Sequence, residues 1–278
     1  MKAPSTLLIA LASGLLTACS SGPPMPKPGT PAFSWAEAKD GYRTGDLLKT
    51  DTALLKLAGS ENSFTARACV WQLVVSAGLT QGFSELADAY EAASLRTVDK
   101  PLRFRTEAAK LRSAAATAAL EFAQAVHNMV IGDDKDVNVK LAFGFPPGSA
   151  VPPEGLLRIS SGLWPRDSER ELVATAMLQR GVLRSVSTAV GFPEDTAGAE
   201  ELFQTSEVQV PREVFVEAMA KLLYQESDLF GPQRMDRPDR LMLMCREAFQ
   251  ALQSVPQTED RKELIAKIQE TLKKNGGV

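Results

Sequence analysis

Histidine is almost missing from this chain. A single imidazole, His127, among 278 residues excludes every metal site built on two histidines, and any nucleophile–base–acid triad would have to run through His127 itself. Its place one residue after Val126, off the apolar seam of a helix, suits a satisfied or partly exposed side chain better than a base. Cysteine is nearly as scarce, with only Cys19, Cys69 and Cys245. Aromatic residues stop at 6%, and neither sign of charge dominates, with 31 Lys and Arg against 34 Asp and Glu. So weak an acidic excess speaks against nucleic acid or an anionic lipid surface as partner, since a basic patch holds both. Neither a Gly-x-Ser-x-Gly elbow nor a cofactor motif occurs, so no cofactor is expected and no catalytic residue stands out.

What is present begins with the leader. Met1-Lys2 supplies a short positive start, Leu7 to Leu16 a ten-residue run without charge, and Ala18 a small residue before Cys19. Ten residues are half of the roughly 20 that cross a bilayer as a helix, so this reads as a secretory signal. Leu16-Thr17-Ala18-Cys19 resembles the lipobox of bacterial lipoproteins. The resemblance implies that residues 1–18 are removed, that Cys19 is acylated and becomes the new N-terminus, and that the lipid holds the protein in the membrane. Three acyl chains, at about 0.8 kcal/mol per buried methylene, exceed the two signals that stable anchoring needs. By the sorting pattern of that family, Ser20 implies the outer membrane, with the body on its periplasmic face. Loss of Lys2 leaves 30 bases against 34 acids.

Residues 19–32 form an acylated cysteine and a Pro-rich linker. Five prolines and two glycines between Ser20 and Pro31 favour an extended spacer, reaching roughly 40 Å at about 3.1 Å per residue. From Phe33 the pattern is helical, and residues 33–278 read as one α-helical domain. Ser34 with Glu37 predicts a capping box opening a helix over 34–57. Ser63 predicts the cap of a second helix over 64–77, and Gly78 and Gly82 a turn, so that 64–95 reads as a helix hairpin. Over 101–131, Phe104, Ala108, Leu111, Ala115, Ala118, Phe122, Ala125 and Met129 alternate steps of four and three. That is the seam of a long packed helix, and its four alanines allow a close neighbour.

After Gly132 the period changes to two. Val137, Val139, Leu141, Phe143 and Phe145 alternate with smaller or polar residues, and Leu156-Leu157-Arg158-Ile159 follows a Pro/Gly loop, predicting a small β-hairpin insertion near 137–160. The whole interruption, 133–166, is the natural place for a functional loop or a domain boundary. Helices resume at about 169–190 (capping box Ser168 and Glu171), 194–206, 211–229 (opened by Pro211), 238–253 (opened by Pro238) and after Thr258.

Three partial motifs carry chemistry. Asp134-x-Asp136-x-Asn138 opens like a calcium loop, but Val139 stands where glycine must turn and Phe145 where the bidentate Glu belongs. No metal is expected. Glu226-Ser227 resembles the Glu-Ser pair of lytic transglycosylases, which would make Glu226 a general acid on peptidoglycan. The downstream segment of that family is missing, with Leu241-Met242-Leu243-Met244 in its place, and an exposed polar helix end is the plainer account. Cys69 and Cys245 both fall on apolar helical stripes, which fits either two buried thiols or a disulfide with Cα atoms within about 7 Å.

The expected architecture is mostly α: helical hairpins stacked as an α-solenoid, loosely similar to tetratricopeptide-like repeats, or a closed helical bundle. Fragments such as Trp71 with Ala87, and Ala248-x-x-Ala251 with Pro256, carry that likeness, without a sustained 34-residue period. The expected function is a membrane-anchored, non-enzymatic scaffold for a protein partner in the cell envelope, without nucleic acid. An enzyme acting on peptidoglycan or glycan, or a solute-binding component of a transport system, are the alternatives.

Overall fold

The computed structural model describes residues 26–98, 100–132, 138–204 and 208–276. The leader, Cys19 and the first half of the linker (19–25), and Asp134, Asp136 and Val137 lie outside them. The described chain is mostly helical, with ten α-helices and one two-stranded antiparallel sheet. No helix among the described residues is long and apolar enough to cross a membrane.

The first predicted helix is two. Helix α1 (Pro31–Thr44) starts with Pro31 in its first turn and Thr30 as its cap, so the Ser34–Glu37 box is not used. Gly45, in the left-handed region, ends it, and Asp46 caps α2 (Leu47–Ala58) by accepting from the Lys49 amide. Helix α3 (Thr65–Arg96) corrects the expected hairpin: 32 residues run through Gly78 and Gly82 without a turn. The two glycines instead let α6 (Asp167–Ala189) cross α3 backbone to backbone. A Cβ on Gly181 of α6 would overlap the Gly78 carbonyl oxygen and stand 2.9 Å from the Gly82 amide nitrogen, and one on Gly82 would stand 2.7 Å from the Met177 carbonyl oxygen. Ion pairs from Glu85 of α3 to Arg180 and Arg184 of α6 border the crossing.

The hairpin partner of α3 is α4 (Pro101–Ile131), as long as predicted. Of its seam, Phe104, Ala108, Ala115, Ala118, Phe122 and Ala125 are buried; Ala116, Ala119, Ala123 and Val126 form a second buried stripe because α4 also packs against later helices. Strand β1 (Asn138–Leu141) buries Val139 and Leu141 and exposes Asn138 and Lys140, the alternation read from the sequence. Its partner is distant: β2 (Val208–Pro211), with Val139 opposite Val210 and Leu141 opposite Val208. Leu156-Leu157-Arg158-Ile159 is not the second strand but part of α5 (Glu154–Ser160), which seats Ile159 among Tyr90, Phe104 and Val173. An isolated hairpin would have left both apolar runs half solvated.

Helix α7 (Thr196–Phe203) is followed by β2 and α8 (Arg212–Glu226), which continues into a 3-10 turn over Ser227–Phe230. Helix α9 (Pro238–Gln253) buries the stripe Leu241, Cys245, Ala248 and Leu252, and Thr258 caps α10 (Glu259–Lys274). Helix α3 packs directly on α2, α4, α5, α6, α8 and β1. In a solenoid each repeat would touch only its sequence neighbours; here stacked helices surround α3.

The few aromatics are concentrated. Trp71 of α3 stacks on Phe143 at 4.5 Å between ring centroids, with Tyr42 and Trp35 within 5.1 Å of the same Phe143 ring. Phe143, just past β1, thereby ties the 133–166 interruption to the N-terminal helices.

Candidate partner-binding surface

A second, smaller core closes the far end of the α3–α4 hairpin, where α5 and the start of α6 fold across it. Leu86, Ala89, Tyr90 and Ala93 of α3, Phe104 and Ala108 of α4, Ile159 of α5, and Val173 and Met177 of α6 are its buried members. Trp164, in the short connection from α5 to α6, lies edge-on to Tyr90 at 5.7 Å and to Phe104 at 5.0 Å, and the Arg103 guanidinium sits 3.8 Å over its ring. Arg96 Nη1 donates to the Ser160 carbonyl at 3.0 Å and fastens α5 to the end of α3.

Beside Trp164 an open groove of about 470 Å³ runs between α5 and α6, lined on its floor by Gly155, Trp164 and Val173. Its walls carry Leu163 and Leu172, which stay 55% and 71% exposed. Arg158 and Glu169 pair across the rim at 3.3 Å. Glu169 also accepts from the Arg166 amide at 3.0 Å, capping α6; that bond, with Arg158 nearby, holds its carboxyl below the usual carboxylate range. The groove is therefore apolar at its centre and offers one cation, Arg158, and two carboxylates, Glu154 and Glu169, around it, the layout of a surface that takes an apolar side chain and orients it with polar contacts.

Residues singled out from the sequence fall elsewhere. Cys69 and Cys245 are not bonded to each other: both are free thiols, Cys69 half-buried on α3 and Cys245 buried on α9, where its Sγ donates to Ser227 Oγ at 3.6 Å. Helix α4 packs against both α3 and α9, and burial raises both thiols above their ordinary range. His127 Nδ1 lies 3.0 Å from Glu247 Oε2, a satisfied, partly exposed pair. Among the described residues no group of acids, histidine and cysteines could hold a metal ion.

Glu226 is not the exposed helix end expected. Its residue is 8% exposed, and Gln81 Nε2 of α3 donates to its Oε1 at 3.5 Å, while Oε2 has no partner. Burial pushes its carboxyl well above the usual range, against the weaker opposing effect of Gln81 and Thr80. A second acid the sequence did not flag, Asp51 on α2, is pushed up to about 7 by burial and then by Glu121 of α4.

What sequence reasoning missed at the surface is the pair Leu163-Trp164, the exposed Leu172, and the α3–α4 tip beside them. Leu102 lies off the α4 seam, and that was the available signal. No family model, curated protein or solved structure matches the chain.

Proposed function

We propose that the chain is an envelope lipoprotein, tethered through acylated Cys19, whose helical body holds a protein partner without catalysing a reaction on it. The observation that supports this reading is the groove beside Trp164: a rigid aromatic anchored on three sides by Tyr90, Phe104 and Arg103, with exposed leucines around it. Binding surfaces concentrate their energy in few such anchors, with polar groups at the rim. The lipobox resemblance supports the tether. For the alternative of a peptidoglycan-acting enzyme, Glu226 gives no support, because its carboxyl lies between α3 and α8 rather than in the groove.

Crosslinking in cells followed by mass spectrometry tests the proposal, with Cys19→Ser as the untethered control. One protein recovered repeatedly with the tethered form and lost with Cys19→Ser is expected. Recovery of no protein with either form would contradict it.

A further inference from the structure

The tip of the α3–α4 hairpin is distinct from the groove and has its own chemistry. Leu95, Val98 and Leu102 are 76%, 99% and 74% exposed there, although each is large and apolar. Around them stand Arg96, Lys100, Arg103 and Arg105, all exposed, and no carboxylate among the described residues pairs with any of the four. The nearest described acids along the chain are both committed, Glu91 to Arg112 and Glu107 to Lys110. Asp99 lies outside the described residues; counted from the sequence, it leaves 95–106 with four bases to one acid. The near-neutral balance of the whole chain hides this local excess.

The reversal is tight. Lys100 takes a left-handed conformation, φ 53°, and Pro101 opens α4 directly behind it. Leu95, Val98 and Leu102 are therefore carried on helix ends and the four-residue connection 97–100 rather than on a long loop. Below them, Arg96 bonds Ser160 and Arg103 covers Trp164, so the tip is braced from the α5 side.

We propose that this tip seats on an anionic phospholipid surface, with Leu95, Val98 and Leu102 entering the headgroup–acyl boundary and Arg96, Lys100, Arg103 and Arg105 lying at the phosphate level. An apolar apex inside a basic collar matches the two layers of a bilayer surface, apolar below and anionic above. A protein partner would have to supply both layers in the same order. The inference does not depend on what occupies the groove. The tether is compatible with it: α3 is about 48 Å long at 1.5 Å per residue, and residues 20–26, ahead of the turn that caps α1, reach roughly 22 Å if extended. One bilayer can hold both the anchor and the tip when α3 is inclined to it.

The test uses the full chain with Val98→Trp and vesicles of brominated phosphatidylcholine, with and without phosphatidylglycerol. The signal is the quenching of the new indole beyond that of the parent chain. Because any leader or lipid attachment contributes equally to both, this signal reports the tip alone. Quenching that needs phosphatidylglycerol and fades as salt is raised is expected. Each Lys or Arg near such a surface contributes about fivefold, so adding Lys100→Gln and Arg105→Gln should lower the ratio of quenched to unquenched indole by about 25-fold. Among the described residues neither side chain has a hydrogen bond or ion pair, and unchanged thermal unfolding checks that. Absent quenching, or quenching equal in both vesicles and indifferent to the two substitutions, overturns the inference.

Discussion

Gly181→Ala is expected to destabilise the fold even though it replaces the poorer helix former. In an exposed helix the change would gain about 1 kcal/mol from propensity. Here the new methyl would overlap the Gly78 carbonyl oxygen, a backbone atom that cannot rotate away. Helix α6 must retreat from α3, and Met177, Leu178, Val182 and Val186, all buried along this face, lose part of their packing. Fully burying one such side chain contributes about 1.5–3 kcal/mol. Half of that lost at two positions costs about 1.5–3 kcal/mol, the usual scale of overpacking. The net is a loss of about 0.5–2 kcal/mol, or roughly 1–8 °C in Tm for a chain of this size. Thermal unfolding followed by far-UV circular dichroism measures it, with Gly144→Ala as control, since nothing lies within 4 Å of a Cβ there. A rise in Tm for Gly181→Ala would refute the backbone-to-backbone crossing.

Other outcomes follow from the buried acids and the groove. The folded-state value of Asp51, about 7, stands above its ordinary 3.8. Its penalty is therefore absent below pH 4, grows as the unfolded chain releases the proton, and is complete above 7, at up to about 4 kcal/mol. Asp51→Asn should accordingly stabilise at pH 8 and change little at pH 4; equal effects at both, measured by urea unfolding, would contradict this. Glu226→Gln should keep or raise Tm at pH 8, because burial favours the neutral carboxyl that Gln imitates; a clear loss would show that the anion is needed. Leu172→Asp should lower partner recovery at least tenfold and shift Tm by no more than about 2 °C, since its side chain is already in water.

Much of the helical body was legible because local signals and tertiary demands agreed. Pro101 and Pro238 open α4 and α9, Thr258 caps α10, and the alternation of four and three along α4 marks the face that α3 covers. The failures share one physical origin. Gly78 and Gly82 read as a turn by local rules, and only α6, a hundred residues later, shows that they are contact points. Leu156 to Ile159 is too short an apolar run to distinguish strand from helix, and the small core around Tyr90 decides for helix. The pairing of β1 with β2 spans an interval no periodicity encodes. Glu226 closes a helix, where acids usually meet water; α3 covers it instead. At the surface, 133–166 was legible as an interruption of the helical pattern, yet the groove exists only because α5 folds across the α3–α4 hairpin.

The partner-holding role is tested most directly by placing a photo-crosslinking residue at Leu172 in living cells, with Leu48 and Leu243, exposed on α2 and α9, as comparison positions. One protein captured at Leu172 and missing from Leu48 and Leu243 is the expected result. Capture of the same species at all three positions, or of no protein at Leu172, would contradict a scaffold that works through the groove beside Trp164.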